Sequence, residues 1–114
     1  MADNVVYLNF DDGVKRVMNN VKLYVRLLTK FKDGSNLDNL EAALAAGDLE
    51  KAQGEAHTIK GVAANLSLSE LFNQSLELET QIKAGAVHPG QMETVKTVFN
   101  TTLQEVDKVI AENG

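Results

Sequence analysis

The sequence predicts an all-α domain, an antiparallel four-helix bundle with one or two additional short N-terminal helices. Three observations carry that prediction. Apolar residues recur at helical spacing almost throughout the chain. One segment, Leu49, Ala52, Ala56, Ile59, Ala63 and Leu66, keeps a strict 3-4-3-4-3 spacing with small and large residues alternating, as the seam of an antiparallel bundle does. A single proline and only 2 Tyr and 4 Phe argue against a β-rich fold.

Each element follows from local signals. Phe10, Val14, Val17 and Met18 predict a short opening helix capped by Asp11 or Asp12. A second helix is expected from about Asn20 to Lys32, with Val21, Tyr24, Leu28 and Phe31 on its apolar face, widened by Val25 and Leu27. The turn formers Asp33-Gly34-Ser35-Asn36 should break it. Leu37, Leu40 and Leu44 mark a third helix ending at Gly47 in the C-terminal cap. Asp48 should cap the fourth, which carries the seam. Ser67-Leu68-Ser69-Glu70 reads as a capping box opening the fifth, which runs to Gly85 with Leu68, Leu71, Phe72, Ser75, Leu78 and Ile82 on one face. His88-Pro89 should open the last helix, with proline at its first position. That helix is expected to bury Met92, Val95, Phe99, Thr102, Val106 and Val109 or Ile110.

Composition bounds the function. A chain of 114 residues is one domain, 1–114, large enough for a real core. No internal repeat, low-complexity tract or linker divides it. There is no cysteine, hence no disulfide framework and no thiol chemistry. The longest apolar runs, such as Ala42-Ala43-Leu44-Ala45-Ala46, fall far short of the roughly 20 residues that span a bilayer. Met1-Ala2-Asp3-Asn4 lacks the layout of a signal peptide, so a soluble cytoplasmic protein is expected. A net charge of -5 without a basic stripe argues against nucleic acid and against an anionic membrane surface.

One residue stands apart. Successive helix positions turn by roughly 100°, which sets His57 about 130° from the middle of the core stripe, facing solvent. Its neighbours on that face are small. Gly61 is one turn on, Ala64 two turns on, and Gly54 about one turn back. Each mid-helix glycine costs about 1 kcal/mol relative to alanine, so a helix carrying two on one face implies that the face must stay bare. Bare helix lets another protein surface approach the imidazole. Lys60 lies beside the same face, where an ammonium would stabilise a negative group attached to the ring, a phosphoryl group above all. Free imidazole titrates near pH ~6.5 and is a nucleophile without a separate general base at neutral pH. Gln53, one turn before His57, is placed to hydrogen-bond a modified ring. An exposed helical histidine is ordinarily only a surface residue. Geometry alone supports an accessible histidine for docking.

The run His57-Thr58-Ile59-Lys60-Gly61-Val62-Ala63-Ala64-Asn65-Leu66 resembles the signature of histidine-containing phosphotransfer (HPt) domains: histidine, any residue, aliphatic, lysine, glycine, then small residues. Gly47-Asp48 before that helix, Leu78-Glu79 on the next, and Val21 to Phe31 upstream also resemble the family, and the likeness covers roughly residues 10 to 110. The resemblance implies a four-helix bundle acting as a phosphorelay intermediate. His57 would take a phosphoryl group from a receiver-domain aspartate or a kinase and pass it to a response regulator. Lys60 would be the charge partner and Gly61 the gap that admits the receiver. It further implies a phosphocarrier rather than a turnover enzyme, with no intrinsic cofactor or nucleotide site and with Mg2+ on the receiver partner. Response-regulator receiver domains and a hybrid histidine kinase are the partners implied. The family usually has glycine where this chain has Ser67, and that serine is expected to cap the fifth helix instead.

The remaining signals point to structure. His88, in Gly85-Ala86-Val87-His88-Pro89-Gly90, reads as a loop or cap residue. The two histidines lack metal-ligand spacing, and no Glu-x-x-His motif occurs. Glu77 and Glu79 read as one solvated and one rim residue of the fifth helix. Met1, Met18 and Met92 form no cluster at helical spacing. Two rivals remain: a helical interaction module that binds receivers without being phosphorylated, and a segment of a larger histidine kinase. The Met1 start and the Glu112-Asn113-Gly114 ending favour a complete small protein, and an exposed site on a small bundle favours a monomer.

Overall fold

The computed structural model describes residues 5–113. The expectations that rest on Met1–Asn4 and on Gly114 lie outside those residues. Among the described residues every regular element is a helix: α1 Phe10–Arg16, α2 Val21–Gly34, α3 Asp38–Ala45, α4 Leu49–Leu66, α5 Ser69–Lys83 and α6 Gln91–Asn113. Helices α2, α4, α5 and α6 pack in a ring, and the short α1 and α3 lie against it, chiefly on α4.

Neighbours in this ring run antiparallel where cross-contacts fix the direction. His57 on α4 meets Glu79 on α5, and the two residues are nearly equidistant from the Ser67-Leu68 link. Tyr24, early in α2, donates its hydroxyl to the Leu66 carbonyl at the end of α4, at 2.7 Å. The α4 seam explains how closely α5 packs. Ala52, Ala56 and Ala63 are fully buried and present almost no side-chain bulk, so α5 can lie near the α4 backbone. Tyr24, Leu28, Leu40, Leu68, Leu71, Leu78, Val95 and Val106 fill the rest of the core.

Several boundaries differ from the sequence reading, each for a local reason. Asn9, not Asp11 or Asp12, caps α1, because its side chain accepts from the Asp12 N–H and leaves both aspartates in the first turn. Met18 belongs to no helix face. It stands 91% exposed in the α1–α2 turn, where it and Asn19 both adopt positive φ. Asn20 caps α2, which continues through Asp33 and Gly34, so the break comes two residues later than expected. Leu49, placed on the α4 seam by its spacing, is instead 39% exposed in the first turn of that helix. Asp48 caps α4 as expected, accepting from the Lys51 N–H at 3.1 Å. Gly47 follows α3 with φ +73, the left-handed turn that favours glycine.

The capping box at Ser67 does not form. Ser67 is the C-terminal cap of α4 in the left-handed region, with φ 58 and ψ 40, and Leu68 precedes α5 with no side-chain cap. The Ser67 hydroxyl donates instead to Asp12, which ties α1 to the α4–α5 corner. That hydroxyl, followed by the Arg16 guanidinium, holds the Asp12 carboxyl below the usual carboxylate range. A left-handed residue at this corner accounts for the glycine that the resembling family prefers there. Helix α6 starts at Gln91 rather than at Pro89, because Gly90 at φ +88 turns the chain first.

Candidate functional site

The site is built on the outer face of α4. The seam that buries Ala52, Ala56, Ile59 and Ala63 obliges His57 to face outward, and the side chain is 67% exposed. Its flanking glycines are bare in a specific sense. A Cβ added at Gly54 or at Gly61 would meet nothing within 4 Å, and both keep ordinary helical backbone. Neither glycine is required by the packing or by the turn geometry of this chain. Ala64 extends the same low strip and is partly buried.

Glu79 lies under the edge of the imidazole. Its side chain is only 3% exposed, yet it meets three cationic or polar groups. His57 Nδ1 is 3.1 Å from Oε2, Lys60 Nζ 2.7 Å from Oε1, and Lys83 Nζ 3.6 Å from Oε2. The Lys60 contact is an ion pair off the hydrogen-bonding direction. Burial pushes the Glu79 carboxyl upward, but the contacts from Lys60 and His57, with the Lys83 charge, outweigh it and hold the carboxyl below its ordinary value. Glu79 is therefore an anion at neutral pH and only accepts hydrogen bonds. In the neutral imidazole the hydrogen then sits on Nδ1, and Nε2 keeps its lone pair. Nε2 has no hydrogen-bond partner among the described residues.

The structure brings together His57, Lys60, Gly61, Gly54 and Ala64 as the sequence spacing implied. Gln53 is half-buried and makes no hydrogen bond to His57. Glu79 overturns the reading of a rim residue, and Lys83 was not anticipated. One signal for Glu79 was available. It lies four residues after Ser75 and three before Ile82, both on the buried stripe of α5. His88 sits in the α5–α6 connection, where its N–H donates to the Gln81 side chain at 2.9 Å.

The Hpt domain family model matches residues 26–110, well over half of the chain, and the match includes all of α4 and α5. The chain belongs to the Hpt domain family. Hpt domains are phosphocarrier modules of two-component phosphorelays, and the all-helical architecture agrees with the Hpt bundle. Comparison with curated proteins and with solved structures returns no match. In this Hpt domain no helix is long and apolar enough to cross a membrane among the described residues.

Proposed function

We propose that this Hpt domain carries a phosphoryl group on Nε2 of His57 between a receiver-domain aspartate, or a kinase, and a response regulator. The observation that supports it most is the His57–Glu79 contact on a face stripped of side chains. Glu79 holds the hydrogen on Nδ1, so the Nε2 lone pair faces an incoming phosphorus. In the accepting step the Nε2–P bond forms as the P–O bond of the aspartyl phosphate breaks, and the aspartate leaves as its carboxylate. The ring becomes cationic as it is phosphorylated, and Glu79 accepts the Nδ1 hydrogen bond more strongly at that moment. Return to a second aspartate reverses the same bonds, so no external base, reductant or nucleotide is consumed.

Lys60 serves two charges in turn. Its ammonium neutralises Glu79 at rest and offsets the phosphoryl oxygens once they arrive. Gly54, Gly61 and Ala64 keep the approach to Nε2 clear, and Gln53 lines its edge. Such a protein needs no metal of its own, and the Mg2+ that transfer uses belongs to the receiver. The domain acts in the cytoplasm as a monomer.

Incubation with a phosphorylated receiver and Mg2+ should label the protein with an acid-labile, base-stable phosphate. His57→Gln should abolish the label while the helical circular dichroism and the melting curve stay as in the parent. Label retained in that variant contradicts the assignment. An intact fold with no label from any active donor favours the rival, a helical module that binds receivers without being phosphorylated.

A further inference from the structure

The corner between α4 and α5 is held from outside itself. The Ser67 hydroxyl donates to the Asp12 carboxylate, and the Asn9 N–H donates to the Ser67 carbonyl at 3.0 Å. The Val6 carbonyl accepts from the Glu70 N–H at 3.1 Å, in a first turn that no side chain caps. The Tyr24 hydroxyl holds the Leu66 carbonyl. Val6, Asn9, Asp12 and Tyr24 all precede residue 26, where the Hpt family match begins, so that match does not account for these tethers. Ser67 itself stands at φ 58, a backbone region that a residue with a Cβ seldom occupies. Glycine would fit there freely, but glycine has no hydroxyl for Asp12. What the serine adds at this position is the tether.

The helices that meet at this corner carry the two halves of the site, His57 on α4 and Glu79 on α5. Little else locks one against the other. Ala52, Ala56 and Ala63 are fully buried on α4, and Ser75 stands on the buried stripe of α5. Small residues bring two helices close but supply no knobs to fix one lengthwise on its neighbour. Alignment then depends on where and how the chain turns. His57 lies ten residues before Ser67 and Glu79 twelve after it, about 15 and about 18 Å from the corner along their helices. A swing of about 4° at the corner carries a carboxylate at that distance about 1 Å. That is enough to take the 3.1 Å contact between His57 and Glu79 out of hydrogen-bonding range.

We infer that Ser67, through its bond to Asp12, is a positioning residue for phosphotransfer: it fixes the seat of α5 on α4 and so keeps Glu79 under the His57 ring. The inference rests on the reading of His57 and Glu79 given above and adds what holds that pair in place. Asp12 is steadied in turn by Arg16, whose Nε donates to it at 2.9 Å. Released at the corner, α5 keeps its packing but not its alignment, and Nδ1 loses a fixed acceptor. The neutral ring then divides between its two tautomers. The fraction with its hydrogen on Nε2 has no lone pair there to attack phosphorus. Ser67 is remote from the ring, so its effect passes through Glu79.

The test uses the full chain and two readouts. One is nitrogen NMR of the isotopically labelled His57 ring in the unphosphorylated protein at alkaline pH. The other is the rate of labelling by phosphoramidate, a small donor that needs no docking. The parent should show the hydrogen on Nδ1. Ser67→Ala and Asp12→Ala should show both tautomers and take label about tenfold more slowly. Asp12→Ala leaves the corner backbone untouched, so it decides the matter where Ser67→Ala does not fold. Asp12→Asn keeps an acceptor for the hydroxyl and should retain the parental spectrum. Ala43→Gly, a buried substitution in α3 at the opposite end of α4, should melt lower than the parent with the His57 spectrum unchanged. A parental spectrum in both Ser67→Ala and Asp12→Ala overturns the inference. So does a mixed spectrum in Ala43→Gly, which traces the loss to stability, or in Asp12→Asn, which traces it to the lost charge. Hydrogen on Nε2 in the parent contradicts the reading of Glu79 and removes this inference with it. Failure of phosphoramidate to label the parent contradicts only His57 as the acceptor, and the ring spectra still decide the positioning.

Discussion

Gly13 and Gly61 are both helical glycines, and they exist for opposite reasons. A Cβ at Gly13 would fall 2.3 Å from the Tyr24 ring, whereas one at Gly61 would meet nothing within 4 Å. The Tyr24 ring cannot retreat, because it is fully buried and its hydroxyl is tied to the Leu66 carbonyl. Burial, with the nearby Asp12 charge, pushes that hydroxyl up to about pKa 12, so it remains a donor across the working range. Gly13 therefore serves the inside of the molecule. Gly61, like Gly54, leaves a space that only something outside the molecule can use. A glycine with no internal reason on a helix is a better sign of a partner than the exposure of a histidine beside it.

Substitutions sharpen this contrast, beginning with the largest effect. Gly61→Gln should slow transfer between protein partners by about a hundredfold, because an ångström of misplacement at a reacting centre is worth that much. The same variant should melt no lower than the parent, and phosphoramidate should still label it. Loss of stability on this substitution would break the contrast. Gly13→Ala should do the reverse. Overpacking against Tyr24 should cost about 1–3 kcal/mol in denaturant unfolding, while the folded fraction transfers at the parental rate. Tyr24→Phe removes the hydrogen bond and leaves the Leu66 carbonyl buried and unpaired, so about 1–2 kcal/mol should be lost. Gly61→Ala should gain a little under about 1 kcal/mol by restricting the unfolded chain and should slow transfer only modestly.

Acid provides a smaller and separate test. Glu79 titrates lower in the folded protein than its ordinary value of 4.5. The stability it contributes is complete above that value and disappears as the pH falls through the lower, folded one. Stability should thus decline on acidification below the ordinary glutamate range, and Glu79→Gln should flatten part of that decline. A pH profile identical in the two proteins would remove the buried cluster from the account.

Much of this could be read from the sequence, and the misses share a cause. Helical periodicity located all six helices of the described residues, and the Asp48 cap and the small seam of α4 were legible because they are local. The Ser67 corner was misread because a Ser-x-x-Glu pattern is consistent with two backbone states. Contact with Asp12, 55 residues away, goes with the left-handed one. Glu79 was misread because a carboxylate beside a helix stripe ordinarily faces water. Its burial depends on how close Ala52, Ala56 and Ala63 let α5 approach, and on three nitrogens from two helices converging there. The expectation of no basic stripe overlooked the interval between Asp12 and Asp33, which holds six of the 11 Lys and Arg and no Asp or Glu, because net charge averages over it.

The central claim is that Glu79 reserves Nδ1 and leaves Nε2 of His57 to take the phosphoryl group. Phosphorylating the protein with its ring nitrogens isotopically labelled, then reading nitrogen–phosphorus coupling by NMR, tests it directly. Coupling at Nε2 of His57 is the predicted result. Phosphorus on Nδ1, or on His88, would contradict it.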